Sequence, residues 1–189
     1  YELSAPASPH EKASSLRLSV IHYGEGLYRI CVGRNEIPHS WAVTELPEAI
    51  KGVPLSASIQ EDAPVFTLCG LSIGEWQYHS ESLRFSLKCD GELPRVYGMG
   101  EKMGRLERSG RVWDMWNTDE PEHTPSRDPL YVSIPFALIA VQDEWYGVFV
   151  DNPARQYWDT ALSRLNTITI DFEDEYLDVY LIKADSPRA

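Results

Sequence analysis

Residues 83–89 read LRFSLKC and place an apolar side chain at every second position. This alternation is typical of a β-strand with one face on a core and the other face in water. Residues 16–20 (LRLSV) and 28–32 (YRICV) repeat the pattern. The Gly-Glu-Gly stretch at 24–26 separates these two segments, and its glycines can adopt positive φ, so the sequence predicts a β-hairpin there.

The rest of the chain continues in short apolar or alternating segments. Further strands are predicted at 55–59, 65–68, 71–76, 132–141, 146–150, 167–172 and 176–182. No window of a dozen residues carries the apolar stripe of a helix, and 46–50 is at most one helical turn. Short strands without crossover helices predict an all-β fold, an antiparallel two-sheet β-sandwich.

The sequence predicts one structured domain. Residues 1–15, rich in Ser, Ala and Pro, are expected to form a loose arm, and residues 16–189 a single sandwich. Residues 101–130 lack usable periodicity, so a long irregular loop is expected there. Compact domains rarely keep such a loop without a function.

The overall charge restricts the partners. The 189 residues carry 17 Lys plus Arg against 29 Asp plus Glu, a formal net charge of −12. A surface of this sign repels nucleic acid and anionic lipid, so neither is expected as a partner. No apolar run approaches the ~18 residues of a membrane span, which favours a soluble protein.

The three cysteines, Cys31, Cys69 and Cys89, are widely spaced and form no C-x-x-C pair. This pattern supports neither a zinc site nor a disulfide framework, so each is expected to be a buried, reduced thiol and no metal or cofactor is expected. Reduced thiols favour a cytoplasmic location. The chain starts at Tyr1 without a leader, so a signal peptide is expected to be absent or already removed.

An acidic cluster near the C-terminus invites comparison with calcium loops. Its members are Asp171, Glu173, Asp174, Glu175 and Asp178. Their spacing does not follow a calcium-binding loop, and Asp171 and Glu173 alternate with apolar residues. The cluster is therefore expected to lie on a solvated face and turn.

The aperiodic stretch concentrates Trp113 and Trp116 beside Asn117, Thr118 and Asp119. Aromatic faces next to short hydrogen-bonding side chains suit a sugar, whose ring can stack while its hydroxyls need directed partners. An irregular loop packed on its own sandwich, with the tryptophans as anchors, explains the same residues. From residue types alone both interpretations remain open.

Four motifs carry a family resemblance. They are YGMGEK at 97–102, MWNTD at 115–119, DPLYVSIPF at 128–136 and YGVFVDN at 146–152. Together they resemble the N-terminal domain of glycoside hydrolase family 31, and within it the α-glucosidases. The resemblance covers about residues 93–160, whereas 16–92 fit by strand pattern alone.

The resemblance implies a galactose-mutarotase-like β-sandwich placed ahead of a catalytic (β/α)8 barrel. Retaining hydrolysis uses a carboxylate nucleophile and a carboxyl acid/base. In the family both are barrel aspartates, whose motifs are missing here, and the chain ends about where the family leaves the sandwich. The chain is therefore expected to be a non-catalytic domain of a retaining α-glucosidase, with the barrel absent.

The resemblance also assigns residue roles. Asp119 is implied to hydrogen-bond the sugar on the leaving-group side, with the partners being an α-glucoside or malto-oligosaccharide and the catalytic barrel. Trp116, Asn117 and Thr118 are substrate-binding candidates beside it. Asn117 and Thr118 are also expected to hold the loop's turns, and Trp116 to pack beneath it. The chain has His123-Thr124 where the family commonly has Tyr-Asp, and Val132 where Lys is frequent, which bears on aglycone preference.

Two other functions stay open from the sequence. An autonomous carbohydrate-binding module would use exposed tryptophans without a barrel. An aldose epimerase would need a paired acid and base in one cleft, and the histidines at 22, 39, 79 and 123 are scattered. Without a barrel, the docking face would be an exposed apolar patch, so a homodimer is also expected.

Overall fold

The computed structural model describes residues 2–4, 15–24, 26–33, 40, 42–50, 56–60, 63–68, 70–79, 82–89, 91, 93–174 and 176–188. Fourteen strands account for the secondary structure of these ranges, and no helix occurs within them. In chain order the strands are β1 (Glu2–Ser4), β2 (Ser15–Gly24), β3 (Leu27–Gly33), β4 (Ser56–Gln60), β5 (Ala63–Leu68), β6 (Leu71–His79), β7 (Ser82–Cys89), β8 (Arg95–Gly100), β9 (Val112–Met115), β10 (Ser133–Val141), β11 (Glu144–Val150), β12 (Gln156–Thr160), β13 (Thr167–Phe172) and β14 (Leu177–Ala184).

The strands form two seven-stranded sheets. Sheet A has the order β1-β2-β3-β14-β11-β10-β8, and sheet B the order β4-β5-β6-β7-β13-β12-β9. Every paired strand runs antiparallel to its neighbour. The structure confirms the predicted all-β fold, an antiparallel two-sheet sandwich.

The alternation in β7 sets which side chains enter the core. Leu83, Phe85 and Leu87 are fully buried, whereas Arg84 and Lys88 are exposed. Phe85 stacks against Phe172 of β13 at 5.8 Å between ring centroids. Offset aromatic pairs at this separation add to the free energy gained by burying their apolar surface.

Each strand predicted from alternation is present, with bounds that differ by a few residues. The predicted hairpin joins β2 and β3, and Gly24 and Gly26 both have positive φ there. Residues 46–50 form no helix. Predicted features at residues 5–14, Cys69 and Glu175 lie outside the described residues.

Four strands were not predicted. β8 contains two glycines, β9 is four residues long, β12 mixes Trp158 with polar residues, and β1 lies in the expected loose arm, where it pairs with β2. Alternation over four residues is too short to stand out in the sequence. The predicted irregular loop at 101–130 is thus two segments, 101–111 and 116–132, separated by β9.

The acidic cluster was predicted wrongly at one position. Asp178 is fully buried instead of solvated. Its carboxylate accepts hydrogen bonds from Nε and Nη2 of Arg29 at 2.8 and 2.6 Å. Asp178 lies in β14, and the pairing of β14 with β3 sets it opposite Cys31, two residues from Arg29 on the same strand. The ion pair depends on this strand pairing, so the sequence alone could not reveal it.

Cys31 and Cys89 are free, buried thiols, as predicted. Burial raises the pKa of Cys31 to about 12, and the negative charge of Asp178 contributes in the same direction. The thiol of Cys31 donates to Oδ1 of Asp178 at 3.5 Å. Within the described ranges, no helix is long and apolar enough to cross a membrane.

Sheet topology brings the aperiodic segments to one edge of the sandwich. β8 is the last strand at one edge of sheet A and β9 is the last strand at one edge of sheet B, and residues 101–111 connect them. Residues 116–132 then return from β9 to β10, the neighbour of β8. Both connections therefore cross the same edge.

Candidate functional site

The four predicted site residues lie together at the start of the segment 116–132, directly after β9. Trp116, Asn117 and Asp119 are exposed, and Thr118 is half-buried. The carboxylate of Asp119 therefore points away from the core of the sandwich and is accessible to another molecule or domain.

Asn117 and Thr118 tie this segment to the start of β10. Oδ1 of Asn117 accepts the backbone N–H of Ser133 at 2.7 Å, while Oγ of Ser133 donates to the carbonyl of Trp116 at 2.7 Å. The N–H of Thr118 donates to the carbonyl of Leu130 at 2.9 Å. Asn117 thus acts through its side chain and Thr118 through its backbone, and both fix the residues beside Asp119.

The two tryptophans have different roles. Trp113 is 3% exposed and its indole N–H donates to the carbonyl of Arg108 at 2.7 Å, so it is a packing anchor. Trp116 is 46% exposed, so it does not pack beneath the segment as the resemblance implied. Successive side chains of a strand point to opposite faces, which accounts for part of the difference in exposure between Trp113 and Trp116. Trp116 itself lies one residue beyond the end of β9.

Trp116 lies between two open clefts. One cleft has a volume of about 350 Å³ and is also lined by Asn117, Ser133, Pro135 and residues from the 152–156 region. The second, of about 490 Å³, is lined on its other side by Arg155, Glu173 and Asp174. An aromatic ring that lines open clefts can stack on a flat apolar surface, such as a sugar ring or a side chain of a docked domain.

Tyr131 lies close to Asp119 and contacts His123. The Tyr131 ring meets the His123 ring edge-on, with centroids 5.5 Å apart. Loss of hydration raises the pKa of the Tyr131 hydroxyl, and the charge of Asp119 and a hydrogen bond to its carboxylate raise it further. Asp119 therefore lies beside an aromatic hydroxyl, and the two groups together can orient sugar hydroxyls.

A group of three residues around the buried ammonium of Lys102 closes the base of the segment. The ammonium of Lys102 donates to Oδ1 of Asp128 at 2.7 Å and to the carbonyl of Asp114 at 2.6 Å. The other carboxylate oxygen of Asp128 accepts the backbone N–H of Asp114 at 2.6 Å. We call Lys102, Asp114 and Asp128 the base cluster. The Asp128–Pro129 peptide bond is cis.

A second ion pair braces the segment internally. Glu120 is buried and pairs with the guanidinium of Arg127. Oε1 of Glu120 also accepts the N–H of Glu122 at 3.0 Å. A guanidinium N–H of Arg111 donates to the carbonyl of Ser126 at 2.9 Å, which links the segment back to the start of β9. Residues 116–128 therefore form an internally bonded loop instead of a free tether.

A third cavity, of about 610 Å³, was not foreseen from the sequence. Apolar side chains of Phe149, Pro135 and Pro153 line it together with Asp151 and Asp178. Asp151 pairs with the hydroxyl of Ser40, and Asp178 is neutralised by Arg29, so both carboxylates already have partners within the chain. Because the cavity adjoins the cleft at Pro135, Asn152 and Pro153, it continues the same surface away from Asp119.

The structure does not gather the described histidines. His22 stacks on Tyr28 in the β2–β3 hairpin, 4.5 Å between centroids, whereas His123 packs on Tyr131. Among the described residues, no group of three or more His, Cys, Asp or Glu side chains is placed to hold a metal ion. Residues 101–136 instead supply Lys102, Asp128 and Tyr131, which are functional candidates that sequence reasoning missed although all three lie within the quoted motifs.

Comparison with known proteins agrees with this geometry. Residues 74–159 match the model of the glycosyl hydrolase 31 N-terminal galactose mutarotase-like domain. Alpha-glucosidase 2 of Bacillus thermoamyloliquefaciens is 32% identical over 98 residues, which are 51% of this chain and 12% of that protein. An alpha-xylosidase of Emericella nidulans is 28% identical over 94 residues, 50% of this chain and 11% of that protein.

Solved structures show the same fold over nearly the whole chain. The Flavobacterium johnsoniae GH31 dextranase, in a complex with isomaltotriose, superposes with a TM-score of 0.67 at 16% identity, over 97% of this chain and 27% of that one. The chain thus spans only about a tenth to a quarter of the length of these proteins. Over residues 74–159 the chain is similar to the N-terminal galactose mutarotase-like domain of the glycosyl hydrolase 31 family.

Proposed function

We propose that this chain is the non-catalytic sandwich of a retaining α-glucosidase, and that it supports a catalytic barrel and lends Asp119 to substrate binding. The observation that carries the proposal is the exposed carboxylate of Asp119 on a loop whose flanking residues are fixed by hydrogen bonds. An ionised carboxylate that accepts sugar hydroxyls makes charge-assisted bonds, which orient a substrate without breaking a bond in it.

The surface around Asp119 supports a docked neighbour. Trp116, Tyr131, Val132 and Ile134 are large apolar or aromatic side chains between about two-fifths and one-half exposed. Ser133, between Val132 and Ile134, bonds to Trp116 and Asn117, which places Trp116 next to the start of β10. We call these four residues the apolar rim. Several exposed large apolar side chains near one another are typical of an interaction surface, and a barrel seated on them would bring its mouth next to Asp119.

The first test replaces Asp119 by Ala in the longer protein that carries this domain. Loss of one charged hydrogen bond is expected to lower kcat/KM for maltose by about 1.5–3 kcal/mol of transition-state stabilisation, which is about 10- to 150-fold. An activated aryl substrate, 4-nitrophenyl α-glucoside, depends less on the leaving-group side and should lose less. Steady-state kinetics on both substrates provide the measurement.

Asp143→Ala is the matched control, because Asp143 is an exposed aspartate in the β10–β11 turn and away from the segment 116–132. It should leave both substrates unaffected. Wild-type kinetics on both substrates for Asp119→Ala would show that Asp119 has no role in binding. The isolated 189-residue chain should neither hydrolyse the aryl glucoside nor release calorimetric heat with maltose or maltotriose, and binding by the isolated chain would instead indicate an autonomous module.

An α-xylosidase is the second candidate, since the Emericella nidulans relative has that name. Glucosides and xylosides differ by one hydroxymethyl group, and one such group in a pocket changes selectivity by about 10- to 200-fold. Assay of the longer protein with 4-nitrophenyl α-glucoside and 4-nitrophenyl α-xyloside separates the two. The proposed role of Asp119 is the same whether the longer protein is an α-glucosidase or an α-xylosidase.

A further inference from the structure

The backbone of Asp114 has unusual partners for a strand residue. β9 ends sheet B, so only β12 pairs with it and the other side of its backbone faces no strand among the described residues. Edge strands present unpaired N–H and C=O groups on that side. At Asp114 both groups are used, because the N–H donates to Asp128 and the carbonyl accepts from Lys102. Two side chains therefore take the place of a neighbouring strand.

The ion pair between those side chains is enclosed. The side chain of Lys102 is 0% exposed and that of Asp128 is 8% exposed. A buried ammonium is unfavourable unless carboxylates and carbonyls surround it, and Lys102 satisfies this with Asp128 and with the carbonyl of Asp114. The arrangement has one geometry, because moving Asp128 would leave a buried charge without its partner.

The base cluster joins both ends of the loop that carries Asp119. The internally bonded loop 116–128 begins directly after β9 and ends at Asp128, before β10 begins at Ser133, and both Asp114 and Asp128 belong to the cluster. Lys102, from the preceding segment 101–111, holds both ends at once. The position of Asp119 relative to sheet A thus depends on an ion pair that does not include Asp119 itself.

A stabilising role alone does not account for this pair. Replacing a buried ion pair by apolar residues of similar size is often neutral or stabilising, while removing one partner is costly. Buried charge is therefore better explained by a requirement for one defined geometry than by stability. The loop whose geometry this ion pair fixes is the one that bears the exposed carboxylate of Asp119.

We propose that Lys102 and Asp128 are positioning residues, which act on substrate through Asp119. The proposal rests on the function proposed above. It assigns them no contact with the sugar, so their effect on turnover should exist only while Asp119 is present.

A double-mutant cycle in the longer protein tests this dependence. Lys102→Met and Asp128→Asn are each made alone and together with Asp119→Ala, and kcat/KM is measured for maltose. With Asp119 present, each single variant should lose about tenfold or more, whereas in the Asp119→Ala background each should lose less than about twofold. Asp128→Asn keeps the shape of the side chain, so it tests the proposal even where Lys102→Met reduces folding.

Arg29→Met is the matched structural control, because Arg29 is also a buried cation paired with a buried aspartate, but on β3 and β14. It should lower the unfolding temperature as much as Lys102→Met does, with equal effects on kcat/KM in both backgrounds. Equal losses for Lys102→Met with and without Asp119 would overturn the positioning role while leaving the role of Asp119 intact. Wild-type kinetics for Asp119→Ala alone would refute the proposed function and the positioning role together.

Discussion

At the scale of single residues, burial changes the chemistry of groups that look ordinary in the sequence. Asp178 belongs to an acidic run, but it is buried and holds both Arg29 and the thiol of Cys31. The same burial removes water from Cys31, which disfavours its thiolate and raises its pKa. Since the thiolate is the nucleophile, Cys31 is protected from reagents by its pKa as well as by its neighbours.

The first prediction concerns that thiol. With a pKa of about 12, Cys31 is a thiolate in only about one molecule in ten thousand at pH 8. Iodoacetamide should therefore leave the Cys31 peptide unlabelled in the folded chain and label it fully in urea, as read by mass spectrometry.

Cysteine placed at an exposed loop position by Ser126→Cys serves as the control and should be labelled in the folded chain at once. Labelling of Cys31 at a similar rate would mean that the β3–β14 region opens readily.

At the scale of elements, close approach of strands explains the glycines of the YGMG motif. Gly100, at the end of β8, has a φ of +81°, and a Cβ there would lie 2.6 Å from the carbonyl oxygen of Val132 and 2.7 Å from the N of Ile134. Both neighbours are backbone atoms, so neither can move away by rotating a side chain. Gly100 thus permits the contact through which β8 meets the start of β10.

The second prediction follows from that contact. Gly100→Ala should lower the free energy of unfolding by about 3 kcal/mol, because it adds a steric clash to an unfavourable backbone conformation. Urea denaturation monitored by tryptophan fluorescence measures the change.

Gly104 provides the matched comparison, since its φ is +97° but a Cβ added there would meet no atom within 4 Å. Gly104→Ala should cost only about 1 kcal/mol, from the positive φ alone. Equal losses at the two glycines would contradict the assigned steric role of Gly100.

At the scale of the whole molecule, the sandwich buries its core but leaves the apolar rim open. Val132 and Ile134 are each 50% exposed beside Trp116. Isolated apolar residues on a surface are common, whereas a connected group next to clefts is a typical interaction surface. A sandwich without its proposed barrel should therefore cover the rim in another way.

The third prediction is that the isolated chain self-associates through the apolar rim. Its sedimentation coefficient should rise with concentration, and Ile134→Glu should abolish the rise by adding charge to a surface that must lose water on contact.

Leu165→Glu is the control, because Leu165 is an exposed apolar residue in the β12–β13 turn and outside the rim. Self-association that persists in Ile134→Glu but vanishes in Leu165→Glu would place the contact elsewhere.

The sequence alone determined the all-β sandwich, because alternation is a local property that records which side chains of a strand such as β7 face the core. The stretch without periodicity also stood out between regular strands, and Asp119 was singled out within it because its motif resembles that of glycoside hydrolase family 31. Tertiary structure decided the contacts that join distant positions. Lys102 meets Asp128 across 26 residues and Arg29 meets Asp178 across 149, pairings that depend on strand order and register and leave no local signal in either partner.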